Sequence, residues 1–165
     1  MHFNNKITEG KYQLIPRALA FIYKEDEILF IHKKKKNSFG YGKINGVGGH
    51  IEQGEDPFEA IKREVLEETR LIIDDFQLVA ILTIDIGTNP GVLLFVFKAE
   101  YTAGTVAGSM EGDVIWMRRS EALANPSAVK DLGVLLEITE NHKDGAAPVI
   151  GKYLYSKDGE LRIVI

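Results

Sequence analysis

Three carboxylates, Glu64, Glu67 and Glu68, lie in the stretch GHIEQGEDPFEAIKREVLEETRL, residues 49–71. In a helix each residue turns by about 100°, which sets Glu67 about 60° to one side of Glu64 and Glu68 about 40° to the other. The three then share one arc beside the apolar face. Like charges four residues apart cost about a few tenths of a kcal/mol in an isolated helix, so selection for stability alone seldom assembles such a set. Oxygen-rich clusters suit hard divalent cations such as Mg²⁺ or Mn²⁺. Arg63, their neighbour, is able to hold a carboxylate in a bidentate grip. The plainer alternative is a solvated acidic face.

The elements that must position these groups are readable from local signals. Asp56 is placed to cap a helix, Pro57 to open it, and Glu59 to complete a capping box. Phe58, Ile61 and Val65 give the helix one apolar face, and it should end near Thr69 or Arg70. Upstream, Leu14–Tyr23 and Ile28–Lys33 read as strands joined by the polar turn 24–27, and a glycine-rich loop follows, with Ile44 and Val47 in a short strand. Downstream, Phe76–Ile86, Val92–Tyr101 and Asp113–Met117 read as strands. Ser120–Leu123 and Val129–Thr139 read as helices, and Val149–Tyr155 with Glu160–Ile165 as a hairpin around Lys157-Asp158-Gly159. A helix embedded among strands, with helices late, suggests an α+β or mixed-sheet sandwich.

The whole chain bounds what these residues serve. Its 165 residues fit one domain, taken as residues 1–165, and its 45% hydrophobic and 27% charged content is that of a globular protein. No cysteine is present, which removes disulfides, thiolate metal sites and cysteine nucleophiles. No apolar run approaches the ~18 residues of a membrane span, and the first residues lack an apolar signal-peptide core. A cytoplasmic protein is the simplest expectation. The net charge of −4 argues against a general DNA-binding role. That charge is unevenly spread: residues 28–51 carry Lys33, Lys34, Lys35, Lys36 and Lys43 and no acid, whereas residues 52–75 carry nine acids and three bases. No G-x-S-x-G, Walker loop or histidine-rich zinc pattern occurs.

The spacing of Gly49, Glu55, Arg63, Glu64, Val65, Glu67, Glu68 and Leu71 resembles the Nudix box, G-x5-E-x7-R-E-U-x-E-E-x-G-U with U bulky and apolar. Six non-degenerate matches have a chance probability on the order of 10⁻⁷. One position departs: Arg70 stands where the box has glycine, so either an arginine adopts the left-handed conformation, at roughly 1 kcal/mol, or the helix ends another way. The resemblance implies an α/β/α sandwich around a mixed sheet and a Mg²⁺- or Mn²⁺-dependent hydrolase of nucleoside diphosphate derivatives. It implies Glu67 and Glu68 as metal ligands, Glu64 as ligand or water-activating base, Arg63 as the group that orients a carboxylate, and the Gly48 carbonyl as a further ligand. Glu55 is expected to hold the loop onto the helix. Glu111, five residues before Trp116, is the candidate fourth carboxylate; the alternative is an exposed loop acid.

The stretch FGYGKINGVGG, residues 39–49, resembles the F-G-x-G-x-x-N-G-x-G-G loop of Nudix enzymes that hydrolyse oxidised purine nucleoside triphosphates. By that resemblance Asn45 hydrogen-bonds the base and Phe39 lies against it; the alternatives are Asn-Gly turn chemistry and ordinary core packing. Lys35 and Lys43 are candidates to meet the phosphates, with a solvated hairpin end as the alternative. Asp131 falls where those relatives carry a base-reading carboxylate, although its neighbour here is Lys130 rather than an acid. Trp116 reads as core rather than as a base-stacking plate. The leading expectation is a nucleoside triphosphate pyrophosphohydrolase that takes a small nucleotide, such as 8-oxo-dGTP, and releases the monophosphate and pyrophosphate. The alternatives are action on ADP-ribose, a dinucleoside polyphosphate or an RNA 5′ end, and a non-catalytic nucleotide-binding regulator. Oligomeric state is not readable from the sequence.

Overall fold

The computed structural model describes residues 9–36, 40–155 and 161–165, with backbone alone at Tyr155, Leu161 and Arg162. Its elements are β1 (Leu14–Lys24), β2 (Glu27–Lys33), β3 (Ile44–Asn45), β4 (Val47–His50), α1 (Pro57–Thr69), β5 (Gln77–Ile84), β6 (Gly91–Glu100), β7 (Gly112–Arg118), α2 (Arg119–Ala124), α3 (Leu132–Asn141), β8 (Val149–Tyr155) and β9 (Leu161–Val164). The turn of the last hairpin, 157–159, lies outside the described residues.

β1 is central because it is apolar on both faces from Ala18 to Ile22, the pattern of a strand covered from two sides. It pairs in parallel with β6 along its length, from Leu14↔Gly91 to Tyr23↔Glu100. Its other edge is shared. Arg17–Ala20 pairs antiparallel with β4, and Ile22–Lys24 pairs antiparallel with β2. The sheet runs β3-β2-β1-β6-β5-β8-β9, with β4 on β1 and β7 on β2. Alternation along β1 divides the core: Ala18, Ala20 and Ile22 join Ala60, Ile61 and Val65 of α1, whereas Leu19 and Phe21 join Ala122 of α2 and Leu132, Leu135 and Leu136 of α3. The result is a mixed sheet between helical layers, as expected. Full burial of a side chain such as Ile61 is worth about 1.5–3 kcal/mol.

α1 begins and ends where its local chemistry dictates. Asp56 accepts from the N–H groups of Phe58 (2.7 Å) and Glu59 (2.9 Å), and the Glu59 carboxylate accepts from the Asp56 N–H (2.9 Å). Arg70 closes the helix in the left-handed conformation, φ 67° and ψ 6°, with its N–H donating to the Leu66 carbonyl. The Cβ penalty at that conformation predicts that Arg70→Gly stabilises the fold by about 0.5–1 kcal/mol. Urea denaturation of the two proteins checks this; an unchanged or lower midpoint contradicts it.

The strands lie within one or two residues of their expected bounds, except that the single short strand expected at Ile44 and Val47 is two: β3, paired with β2, and β4, which runs to His50 and pairs with β1. α3 differs: it starts at Leu132 rather than Val129. Residues 127–129 instead run beside β3, with the Ile44 N–H donating to the Ser127 carbonyl (2.8 Å) and the Val129 N–H to the Ile44 carbonyl (3.1 Å). This non-local pairing overrides the helical pattern there. Trp116 packs edge-on against Tyr101 at 5.5 Å, beside the α1-side core, in keeping with a packing role.

Candidate active site

α1 lays its acids against the chain that enters and forms β4. A Cβ at Gly49 would collide with the Glu64 carboxylate, and a Cβ at Gly48 (φ 154°) with the Ala18 carbonyl. Glycine at these two positions therefore lets β4 lie close to β1 and lets Glu64 rest on the backbone. Arg63 ties the region together. Its Nε and Nη2 donate to the two oxygens of Glu55 (2.6 and 2.9 Å), Nη2 also to the His50 carbonyl (3.0 Å), and Nη1 to Glu64 (2.9 Å) and Glu67 (3.4 Å). The guanidinium holds the Glu55 carboxyl down at about 2. Glu55 also accepts from the Glu52 N–H, so it fastens the loop to the helix.

The other acids sit in contrasting surroundings. Glu68 is 1% exposed. Its Oε2 accepts from the Gly48 N–H at 3.0 Å, and its Oε1 meets the Lys33 ammonium, which also lies 3.4 Å from the Gly48 carbonyl. Burial pushes the carboxyls of Glu64 and Glu68 above their ordinary value, with Arg63 and Lys33 respectively opposing the shift. Glu67, by contrast, is 60% exposed at its side chain. Glu111 joins these acids and Arg70 around a groove of about 270 Å³. Its carboxylate pairs with Lys35 at 2.7 Å, which holds it below the usual range, and its carbonyl accepts from the N–H groups of Lys34 and Lys35.

Among the described residues, no three acidic, histidine or cysteine side chains converge tightly enough to form a metal cluster. The acids turn instead to internal cations, Glu64 and Glu67 to Arg63 and Glu68 to Lys33. The Lys33 ammonium, between the Glu68 carboxylate and the Gly48 carbonyl, stands in for a cation at that point. The two donors at that point, a carboxylate and a carbonyl oxygen, are of the type a hard divalent ion takes.

On the other face of the sheet lies a cavity of about 180 Å³, lined in part by Asn45, Lys43, Asp131, Tyr153, Leu135 and Ile84. Lys33, Gly48 and Gly49 border it too, so it adjoins the acidic groove. Asn45 Oδ1 accepts from the Gly46 N–H at 2.8 Å, which is turn chemistry, while its amide nitrogen remains a donor for a ligand. Burial pushes the Asp131 carboxyl up, and the Tyr153 hydroxyl, which donates to Asp131 Oδ2 at 2.9 Å, opposes that. The structure thus brings Asn45, Lys43 and Asp131 into one cavity and sets Lys35 at the acidic groove. Phe39 lies outside the described residues.

Two central cations were not singled out by sequence reasoning. Lys33 was grouped with its three lysine neighbours, although it continues the inward positions Leu29 and Ile31 of β2. Arg17, bordering the same cavity, sits two residues before Leu19 on the inward face of β1; burial lowers its pKa, while Glu64 and Glu68 raise it. A cation in phase with apolar strand positions is the signal that finds both. A separate cleft of about 840 Å³, beside residues 72–78, is built from none of these residues.

Residues 13–137 match the family model described as the NUDIX domain. The mouse oxidized purine nucleoside triphosphate hydrolase is 33% identical over 85 residues, 51% of this chain and 54% of that protein. The human 8-oxo-dGDP phosphatase NUDT18 is 29% identical over 132 residues, 77% of this chain and 39% of that protein. The chain thus matches about half the length, or less, of these curated relatives. Among solved structures, the MutT protein from Bacillus halodurans superposes with a TM-score of 0.68 at 26% identity, covering 91% of this chain and 97% of that one.

Proposed function

The chain belongs to the NUDIX family, and on that premise we propose that it hydrolyses a purine nucleoside triphosphate, such as 8-oxo-dGTP, to the monophosphate and pyrophosphate. The observation that carries this reading is the adjacency of two differently built sites: Lys33 and Gly48 border both the carboxylate cluster and the Asn45–Asp131 cavity. One end suits a polyphosphate and the other a planar base with polar edges. The names of the mouse and human relatives, an oxidized purine nucleoside triphosphate hydrolase and an 8-oxo-dGDP phosphatase, support the substrate class.

In this reading the Gly48 carbonyl, Glu64, Glu67, Glu68 and Glu111 hold Mg²⁺ or Mn²⁺. The ion, when bound, neutralises diphosphate charge and lowers the pKa of the attacking water. Glu64, one of whose oxygens Arg63 fixes at 2.9 Å, is either a further ligand or the general base. Lys33, which pairs with Glu68 and lies by the Gly48 carbonyl, would serve a phosphate oxygen if a divalent ion took its place at that carboxylate. Lys35 and Lys43 approach the phosphates from the rim. Asn45 donates to the base, and Asp131 accepts from it.

A substrate panel with Mg²⁺, following pyrophosphate and orthophosphate release, tests the reading. It should contain 8-oxo-dGTP, 8-oxo-dGDP, dGTP, dATP, ADP-ribose and a dinucleoside polyphosphate. Pyrophosphate from a purine triphosphate is the expected result, and Asn45→Ala should raise KM for the best substrate about 10-fold. No turnover of any member overturns the hydrolase reading. Turnover with an unchanged KM in the variant leaves Asn45 as a turn residue only.

A further inference from the structure

Asp131 directly precedes α3 and is placed to cap it, yet its side chain makes no capping bond. Its Oδ2 accepts instead from the hydroxyl of Tyr153 on β8, at 2.9 Å. Tyr153 is 1% exposed, fixed among Leu82, Leu135 and Leu136 in the core, and both residues border the cavity that contains Asn45. A carboxylate withdrawn from its local capping task and clamped by a buried phenol is a polar group held for something else.

We propose that Tyr153 is a positioning residue for base recognition: by donating to Asp131 Oδ2 it holds that carboxylate as a two-oxygen acceptor, and so makes the cavity select purines of guanine type over those of adenine type. This rests on the hydrolase reading only for its choice of purines as ligands. A guanine edge presents two neighbouring N–H donors, N1–H and the exocyclic amine, which match the two oxygens of one carboxylate. An adenine edge presents one donor beside the lone pair of N1, and that lone pair faces a carboxylate oxygen unfavourably. A protonated Asp131 would accept this donor–acceptor edge. The phenol works against that state, because a hydroxyl donating to a carboxylate favours its ionised form while burial disfavours it. The Asn45 amine, whose partner oxygen is already engaged by the Gly46 N–H, supplies the complementary donor to the base.

Binding of GMP and AMP to the full chain, measured by calorimetry, tests this without requiring turnover. The unmodified protein should prefer GMP at least about 10-fold, and Tyr153→Phe should cut that preference at least about 5-fold, in line with losing one hydrogen bond to a charged group. In an Asp131→Asn background the same Tyr153→Phe change should alter the preference less than about 2-fold, because its effect runs through that carboxylate. In turnover of dGTP, the loss in Tyr153→Phe should fall on KM more than on kcat. Asp131→Asn, which leaves the core tyrosine in place, should lose the preference on its own and provides the test if Tyr153→Phe does not fold. The inference is overturned by any of four results: no purine binding, no GMP preference, a preference that survives Tyr153→Phe or Asp131→Asn, or equal effects of Tyr153→Phe in both backgrounds. Purine triphosphate turnover with a preference indifferent to Tyr153 leaves the hydrolase reading standing and removes this one. No turnover, with a Tyr153-dependent GMP preference, does the reverse.

Discussion

Glu68→Gln should lower kcat at least about 10²-fold, the scale of losing an electrostatic group that acts on the transition state, with a moderate fall in melting temperature. The two halves of this expectation have different causes. Gln keeps the shape and still accepts from the Gly48 N–H, so packing at a residue that is 1% exposed is preserved. What stability the variant loses comes from Lys33, whose largely buried ammonium is left without its carboxylate. What the variant lacks is a negative oxygen beside the Gly48 carbonyl, where the proposed ion is held. Glu67→Gln should show a similar fall in kcat with less effect on stability, because that side chain is 60% exposed. Steady-state kinetics with saturating Mg²⁺ and thermal denaturation on the same samples decide the matter. Near-normal kcat in both variants would mean the metal site is wrongly assigned. A lost kcat accompanied by a collapsed melting temperature would make Glu68 a folding residue.

The contrast between these neighbouring acids also shows where sequence reasoning reaches its limit. The capping box at Asp56, the helical phase of Ile61 and Val65, and the stop at Arg70 are local, and the structure follows them residue by residue. The hairpin of β1 and β2 is local too. Which acid faces inward is not local. Glu67 and Glu68 are adjacent in the chain, and only the approach of β2 and β4 to α1 buries one and leaves the other in water. The same approach separates Lys33 from Lys34 and Lys35, which turn to Asp113 and Glu111. The start of α3 was misread for a similar reason, since the backbone groups of Ser127 and Val129 are engaged by Ile44, more than eighty residues away in sequence. Tyr153 carried no signal, because a tyrosine in a C-terminal hairpin gives no hint of the carboxylate it reaches.

The basic and acidic segments that nearly cancel in the net charge meet in space at Lys33 and Glu68, and further cations tie down the other acids of the site. Lys33 and Lys35 from the first meet Glu68 and Glu111, and Arg63 from the second organises three acids and a carbonyl. These cations keep a dense set of carboxylates folded before any ion or phosphate arrives. Of the ion pairs at the site, the one at Arg63 reaches most partners.

Arg63→Ala should accordingly produce the second large effect, a fall in kcat/KM of at least about 10²-fold, the scale expected when reacting groups are misplaced by about 1 Å. The guanidinium spans Glu55 in the loop, the His50 carbonyl in β4 and Glu64 and Glu67 on α1, so its loss frees the loop from the helix and leaves Glu64 without its orienting donor. Arg63→Lys should restore only part of the activity, because an ammonium cannot make the bidentate fork to Glu55 while also reaching Glu64. Stability should fall as well, with a pH signature. Glu55 has its carboxyl lowered from 4.5 to about 2 in the folded protein, chiefly by Arg63. A lowered folded-state value adds stability that is fully present above the unfolded value and disappears as pH falls from about 4.5 through about 2. Removal of Arg63 returns Glu55 toward its ordinary value and abolishes that contribution. The gap in urea midpoint between the two proteins should thus be constant above pH 5 and narrow steadily toward pH 2. A gap that stays level into acid would show that Arg63 stabilises the fold by packing its side chain rather than by its charge.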